Sequence, residues 1–127
     1  MLIGELAERS GTTTRMLRYY EQQGLLRARR SSNGYRSYDE SELRVVEEIR
    51  ALLASGFGLQ EIPPFVACLR AGNASGDVCP DSVAVLRRKL AEVDAHLGQL
   101  STLREQLRSQ LTKAIESREE PCHRGCQ

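Results

Sequence analysis

No stretch of this chain holds the roughly 20 consecutive apolar residues that a bilayer crossing requires, which excludes a membrane-spanning helix. Its first residues, Met1-Leu2-Ile3-Gly4-Glu5-Leu6, lack the basic segment followed by an apolar one that marks a secretory signal. A cytoplasmic location is therefore expected, with no membrane partner. Glycine-rich phosphate loops and Ser/His/Asp sets are absent, and the two histidines, His96 and His123, stand far apart. With no convergent acid, base or nucleophile, an enzyme is not expected. Thiols in a reducing compartment stay open, so the four cysteines point to metal, redox or packing roles before structural disulfides.

What is present has the make-up of an ordinary soluble protein: 127 residues, 40% hydrophobic and 28% charged. That length accommodates one compact domain and one long element. The net charge of +1 hides an asymmetry. Residues 1–38 carry seven Arg against three Glu, and residues 39–127 carry eleven Lys/Arg against fourteen Asp/Glu. A basic head on an acidic body suits a phosphate-facing module held by a separate scaffold, although segregated solvated charges would give the same composition.

Leu2, Ile3, Leu6 and Ala7 recur at helical spacing, which predicts a first helix over about Ile3 to Arg9, ended by Ser10-Gly11. Thr12, Thr13 and Thr14 offer N-caps for a second helix to about Gln23, with Gly24 as its stop. Two short helices across a Gly-containing turn outline a helix-turn-helix. Arg27, Arg29 and Arg30 then lead through Ser31-Ser32-Asn33-Gly34 to Tyr35-Arg36-Ser37-Tyr38. Asn-Gly is a strong hairpin signal, since both residues tolerate the positive φ of a type I′ turn. A basic hairpin after a helix-turn-helix makes a wing, giving a second set of phosphate contacts.

Asp39-Glu40-Ser41 opens a third helix, with Leu43, Val46, Ile49, Leu52 and Leu53 as its buried stripe. A short fourth helix is expected to start near Ile62 and to end at about Arg70, because Pro63-Pro64 fits only a first turn. Residues 71–81 read as a linker loop and residues 1–70 as the head. From Ser82 to Arg118 there is no Pro and no Gly but Gly98. Val83, Leu86, Leu90, Val93, Leu97, Leu100, Leu107, Leu111 and Ala114 follow heptad spacing, with Arg104 breaking the seam and Leu103 beside it. Such a helix, residues 82–118, would run about 54 Å, more than a small domain can cover. A second copy of the chain is its simplest partner, so a homodimer is expected. Residues 119–127 form a Cys/His tail.

Arg15, Arg18, Tyr19 and Tyr20 fall within about one turn of the second helix. Arg suits phosphate forks and guanine edges, and a Tyr hydroxyl donates to phosphate oxygens. Adjacent tyrosines cannot both face a ligand, so one of Tyr19 and Tyr20 belongs to the core. Tyr35 and Tyr38 divide in the same way, one of them anchoring the wing, and Arg36 is the candidate backbone contact. His96 flanks the seam beside Leu97 and reads as a solvated residue.

Taken together, Ile3-Gly4-Glu5-Leu6-Ala7, Arg18-Tyr19-Tyr20-Glu21, Gly24-Leu25-Leu26 and Asn33-Gly34-Tyr35-Arg36-Ser37-Tyr38 resemble the N-terminal signature of the MerR family of transcriptional regulators. Gly56-Phe57-Gly58-Leu59 and the heptad helix are similar to the rest of that family's pattern, while Pro63-Pro64 departs from its usual fourth helix. The resemblance implies a mainly α fold, a winged helix-turn-helix head with a small β-hairpin wing followed by a long dimerisation helix forming an antiparallel coiled coil. It also implies double-stranded promoter DNA as partner, beside RNA polymerase at the shared promoter. In such regulators an effector changes the angle between two heads, which bend and untwist the operator. The residues expected to touch DNA are Thr14, Arg15, Arg18, Tyr19, Tyr20, Arg30, Asn33, Tyr35, Arg36 and Tyr38.

The effector is expected to be a thiophilic metal ion, zinc or another. Cys79 stands before the long helix and resembles the cysteine that divalent-metal sensors of the family carry there, while Cys122, His123 and Cys126 stand after the helix. An antiparallel dimer can bring the tail of one copy near Cys79 of the other, and thiolates with an imidazole suit a soft ion. Those sensors place another cysteine near residue 114, where this chain has Ala114. Thiol oxidation is the alternative: Cys68 and Cys79 bracket a Gly-containing loop, and Cys122 with Cys126 form a second candidate pair. Cys68 also reads as a small buried hydrophobe among Phe65, Val66 and Leu69. A coiled-coil interaction module without DNA function is the remaining reading, and salt-sensitive duplex binding separates it from a regulator.

Overall fold

Helix α1, Ile3–Ser10, buries Leu6 and Ala7, and it ends because Gly11 turns into the left-handed region at φ 72°. Ser10 is buried too, its hydroxyl donating to the Leu6 carbonyl at 2.6 Å. Thr13, rather than Thr12 or Thr14, caps the next helix, its Oγ1 accepting from the Met16 amide at 3.1 Å. Helix α2, Thr14–Gln22, turns Leu17 and Tyr20 inward. Gly24, at φ 77°, lets the chain reverse, and the Leu25 amide donates back to the Tyr20 carbonyl at 3.0 Å. The computed structural model describes residues 1–30 and 32–119, with Glu119 described by its backbone alone.

Two short antiparallel strands form the wing, β1 (Arg29–Arg30) and β2 (Arg36–Ser37), paired Arg29 with Ser37 and Arg30 with Arg36. That register leaves residues 31–35 as the connection, so the hairpin is not the two-residue type I′ turn that Asn33-Gly34 suggests. Among the described residues of that connection Gly34 alone takes positive φ, at 85°, and Asn33 does not. A longer connection relieves Asn33 of the conformation that a two-residue turn would impose.

Helix α3, Glu40–Ala54, begins one residue after Asp39. The Asp39 carboxylate makes no cap to its own helix and instead meets Arg29 of β1 at 3.2 Å. Glu42, Val45, Val46, Ile49 and Leu52 are buried, while Leu43 and Leu53 pack at the edge of the core. A 3-10 turn, Leu59–Glu61, leads into helix α4, Pro63–Arg70, where Pro63 and Pro64 occupy the opening positions. Their missing amides lie where a helix has no partner for an amide anyway, so the pair starts the helix instead of breaking it. Phe57 and Phe65 meet edge to face at 5.7 Å between centroids. Helix α5, Pro80–Glu119, runs for 40 residues.

The chain divides into two units, Met1–Leu86 and Arg87–Gln127. The first holds the core, built on Leu6, Leu17, Val46, Ile49, Ile62 and Phe65, with Val85 of α5 added to it. In the second, Leu90, Val93, Leu97, Leu100, Leu103, Leu107, Leu111 and Ile115 are all exposed. Leu100, Leu103, Arg104, Leu107 and Leu111 line one open, largely apolar face. Gly98 sits in this helix without interrupting it. No described helix is long and apolar enough to cross a membrane.

Candidate nucleic-acid interface

The side of α2 turned away from the core carries Arg15, Met16, Arg18, Tyr19 and Gln22, all exposed, with Thr14 half-buried at the first position. The direction of the helix divides the tyrosines. Tyr20 is 2% exposed and Tyr19 43%. In the wing Tyr38 is 2% exposed and Tyr35 66%, so Tyr38 is the anchor. As DNA-contact candidates Tyr20 and Tyr38 are thus corrected to packing residues: their rings are committed to the core and withdrawn from any ligand face.

Both buried phenols stay protonated more tenaciously than an ordinary tyrosine. Burial pushes Tyr20 up, against the opposing charge of Arg50. Burial pushes Tyr38 up as well, and Glu21 adds to it.

A carboxylate fastens the wing to α2. Glu21 Oε2 receives Arg36 Nη1 at 2.5 Å, while Glu21 Oε1 lies 3.5 Å from the Tyr38 hydroxyl that donates to it. Only 19% of the Glu21 side chain is exposed, against 51% of Arg36, so the pair holds the arginine in place while leaving one side of it to solvent. Arg15, Arg18, Tyr19 and Gln22 line one shallow cleft, and Arg18, Glu21, Gln22 and Arg36 line the next. Arg18 belongs to both, which makes the surface continuous from the helix to the wing. Arg29 and Arg30 are exposed on β1, and Asn33 and Tyr35 are exposed in the connection. An exposed row of guanidiniums with a phenol and amides among them is chemistry for phosphate oxygens and base edges.

Behind this surface the head is tied by ion pairs that the motifs do not display. Arg9 meets Glu40 through both oxygens, at 2.6 and 2.9 Å, on the exposed surface. Arg50 reaches from α3 to the Ser10 carbonyl, directly before the turn of the helix-turn-helix. Glu21, Glu42 and Arg50 escaped the sequence reading because each finds its partner far along the chain. The nearest available signal was Glu21, which already stands inside the Arg-Tyr-Tyr-Glu block.

The cysteines fall differently. Cys79 is bonded to Cys68 in a disulfide, with Cα atoms 5.7 Å apart. In this state Cys79 offers no thiolate to a metal. Cys122, His123 and Cys126 lie outside the described residues, and among the described residues no group of three or more His, Cys, Asp or Glu is placed to hold an ion. His96 is exposed on α5. The described residues by themselves therefore do not make a metal centre.

Known proteins share this arrangement. Residues 1–65 match the family described as MerR HTH family regulatory protein, and residues 43–110 match the one described as MerR, DNA binding. An uncharacterised HTH-type transcriptional regulator of Pseudomonas aeruginosa is 39% identical over 109 residues, covering 84% of this chain and 80% of the relative. The HTH-type transcriptional regulator HmrR of Rhizobium leguminosarum bv. viciae is 38% identical over 111 residues, covering 84% and 81%. Among solved structures, the transcription regulator PbrR691 from Ralstonia metallidurans CH34, in complex with lead(II), is similar at a TM-score of 0.56 and 29% identity, covering 98% of this chain and 90% of that one. These relatives are regulators and not enzymes. With the two family matches together spanning the head, the wing and most of the long helix, the chain belongs to the MerR family of DNA-binding transcriptional regulators.

Proposed function

We propose that the chain binds promoter DNA as a homodimer and changes the shape of that DNA in response to a thiophilic metal ion. The observation that carries the DNA contact is the continuous exposed surface from Arg15, Arg18, Tyr19 and Gln22 to Arg36. Helix α2 enters the major groove, Thr14 at its start and Arg15 and Arg18 along it, while Arg30, Asn33, Tyr35 and Arg36 of the wing hold the neighbouring backbone. Tyr19 adds its hydroxyl to a phosphate.

The exposed apolar face of α5 supports the dimer, since nine large apolar side chains in one helix are left in water without a partner copy. Two heads on one scaffold set the spacing and angle at which the duplex is gripped, and the operator follows that angle by bending and untwisting. RNA polymerase then meets a realigned promoter without a new protein contact.

The metal part of the reading is supported by the similarity to a lead(II)-bound regulator and by the donor set of Cys79, Cys122, His123 and Cys126. Zinc or another soft ion fits those donors, provided that Cys79 is reduced.

Fluorescence anisotropy of the reduced chain on its own promoter, run across a salt series, tests the DNA contact. The reading requires affinity that falls steeply with salt, with a log–log slope matching several phosphate contacts. Salt-independent binding, or none, refutes it and leaves an interaction module. Metal content of protein purified without oxygen, for the natural chain and Cys79→Ser, tests the effector. Stoichiometric soft metal lost with Cys79 supports it, and metal-free protein with all thiols titratable refutes it.

A further inference from the structure

Cys68 is 2% exposed in α4, and Cys79 is half-buried immediately before Pro80, the first residue of α5. The loop between them is held from several sides. Asn73 donates its side-chain amide to the Cys68 carbonyl at 3.0 Å and to Cys79 Sγ at 3.3 Å. Arg44 of α3 donates to the Ala74 carbonyl at 3.0 Å. Gly76 passes so close that a Cβ there would meet the Phe65 carbonyl oxygen at 2.9 Å and Glu48 Oε1 at 3.0 Å. These contacts hold the loop that sets the two sulfurs side by side.

We propose that Cys68 and Cys79 are a reversible thiol–disulfide switch that sets how firmly the first turns of α5 are fastened to α4. The switch stands on the geometry of this junction; only its effect on operator DNA rests on the function proposed above. Each redox state has partners waiting. A reduced Cys68 thiol finds the Ser75 carbonyl oxygen 3.6 Å away as an acceptor, and a Cys79 thiolate keeps the Asn73 amide as a donor. In the oxidised state the Ser82 hydroxyl, one turn beyond Cys79 and 0% exposed, has no hydrogen-bond partner. A buried hydroxyl without a partner is unfavourable, which marks the start of α5 beside Cys79 as a place where the packing has room to rearrange.

The state of the junction reaches towards the DNA-facing elements through α4. Arg70, two residues after Cys68, donates to both oxygens of Glu42 and to the Leu25 carbonyl. Glu42 in turn accepts the Arg27 amide at 3.1 Å, in the segment between α2 and the wing.

The oxidant is a hydroperoxide. The more exposed sulfur reacts first: the Cys79 thiolate attacks one peroxide oxygen, the O–O bond breaks, and a sulfenic acid and hydroxide form. The Cys68 sulfur then attacks the Cys79 sulfur, the S–O bond breaks, and the hydroxide released takes the Cys68 proton as water. Two thiols and one hydrogen peroxide thus become one disulfide and two waters. A dithiol reverses the step by exchange through a mixed disulfide.

The test treats the full chain with hydrogen peroxide and then with dithiothreitol, reading linkage by differential alkylation and peptide mapping. Arg70 lies between the two cysteines, so trypsin places them on separate peptides joined only by the disulfide. Hydrogen exchange over residues 72–86 and operator affinity are read in both states. Expected are a reversible Cys68–Cys79 link, exchange about tenfold slower in the oxidised form, and operator affinity shifted about fivefold or more. The Cys122→Ser/Cys126→Ser variant should behave in the same way, and Cys68→Ser should ignore the oxidant in all three readouts. Thiols that stay open, a link confined to Cys122 and Cys126, or a Cys68–Cys79 link that leaves exchange unchanged would each overturn the switch. Loss of duplex binding in both states would instead strike the proposed function, with exchange still deciding the switch.

Discussion

Glu42 of α3 and Arg70 of α4 face each other as a two-point ion pair, both contacts 3.0 Å, with only 5% of the Glu42 side chain and 18% of the Arg70 side chain exposed. Each member has a further partner: Glu42 also accepts the Arg27 amide, and Arg70 also donates to the Leu25 carbonyl. The pair therefore locks α4, α3 and the exit of α2 to one another. Removing one partner leaves a charge in a low-dielectric place. Glu42→Ala and Arg70→Ala should each lower unfolding free energy by about 3–5 kcal/mol, and the double variant by less than their sum. Urea denaturation at fixed chain concentration measures this, and additive losses would show that the two residues act independently.

Arg18 joins the two halves of the exposed surface. Arg18→Ala should weaken operator binding by about 1–3 kcal/mol and reduce the salt slope by about one contact, while leaving the melting temperature unchanged. Tyr20→Ala should do the opposite, lowering stability by about 3–5 kcal/mol through loss of a buried aromatic side chain. A salt series on both variants, with thermal melts alongside, separates recognition from packing.

Gly11 does two things in the helix-turn-helix turn. Its φ of 72° suits glycine, and a Cβ there would come within 2.8 Å of Arg50 Nη1. Gly11→Ala should therefore cost more than the roughly 1–2 kcal/mol of left-handed strain. In an Arg50→Ala background the added cost should fall back to the strain alone. Equal costs in both backgrounds would show that Arg50 simply moves aside.

Glu48 is raised above its ordinary value of 4.5, first by burial and then by Asp77, with Arg44 opposing. An acid that holds its proton more tightly when folded lowers stability as pH rises from its unfolded value through its folded one. Its unfavourable contribution is thus absent below about 4.5 and complete above the folded value. Glu48→Gln should be more stable than the natural chain at neutral pH, with the gain vanishing in acid. Paired melts between pH 4 and pH 8 would show this; a gain independent of pH would point to a packing effect.

The leucine face of α5 should hold two copies together. Leu100→Asp with Leu107→Asp should yield monomers by sedimentation at concentrations where the natural chain is a dimer, and should weaken operator binding. A monomeric natural chain would remove the dimer from the proposed function.

Helix starts and stops were legible because the residues that make them are local: Thr13 caps, Gly11 and Gly24 turn, and Pro63-Pro64 opens α4. Spacing could say that one of Tyr19 and Tyr20 is buried, but not which, since that depends on where α1 and α3 lie. The Asn33-Gly34 signal marked a hairpin correctly and overstated its tightness, because strand register and not the dipeptide set the length of the connection. Glu42 carries no sequence signal, because its partner Arg70 is 28 residues on, beyond any local pattern. The sequence points to Cys79 first as a metal donor and alternatively as a redox partner, and its closeness to Cys68 depends on a loop fold that spacing alone does not reveal.

The wing is held at its root and presented at its tip. Tyr38 is sunk in the core and Arg36 is tied to Glu21, whereas Ser32, Asn33, Gly34 and Tyr35 stand exposed. Substitutions at the tip therefore draw little on the stability of the head, while substitutions at the root draw heavily on it. The tip can therefore accept a wide range of side chains without bringing the protein near the threshold at which it unfolds.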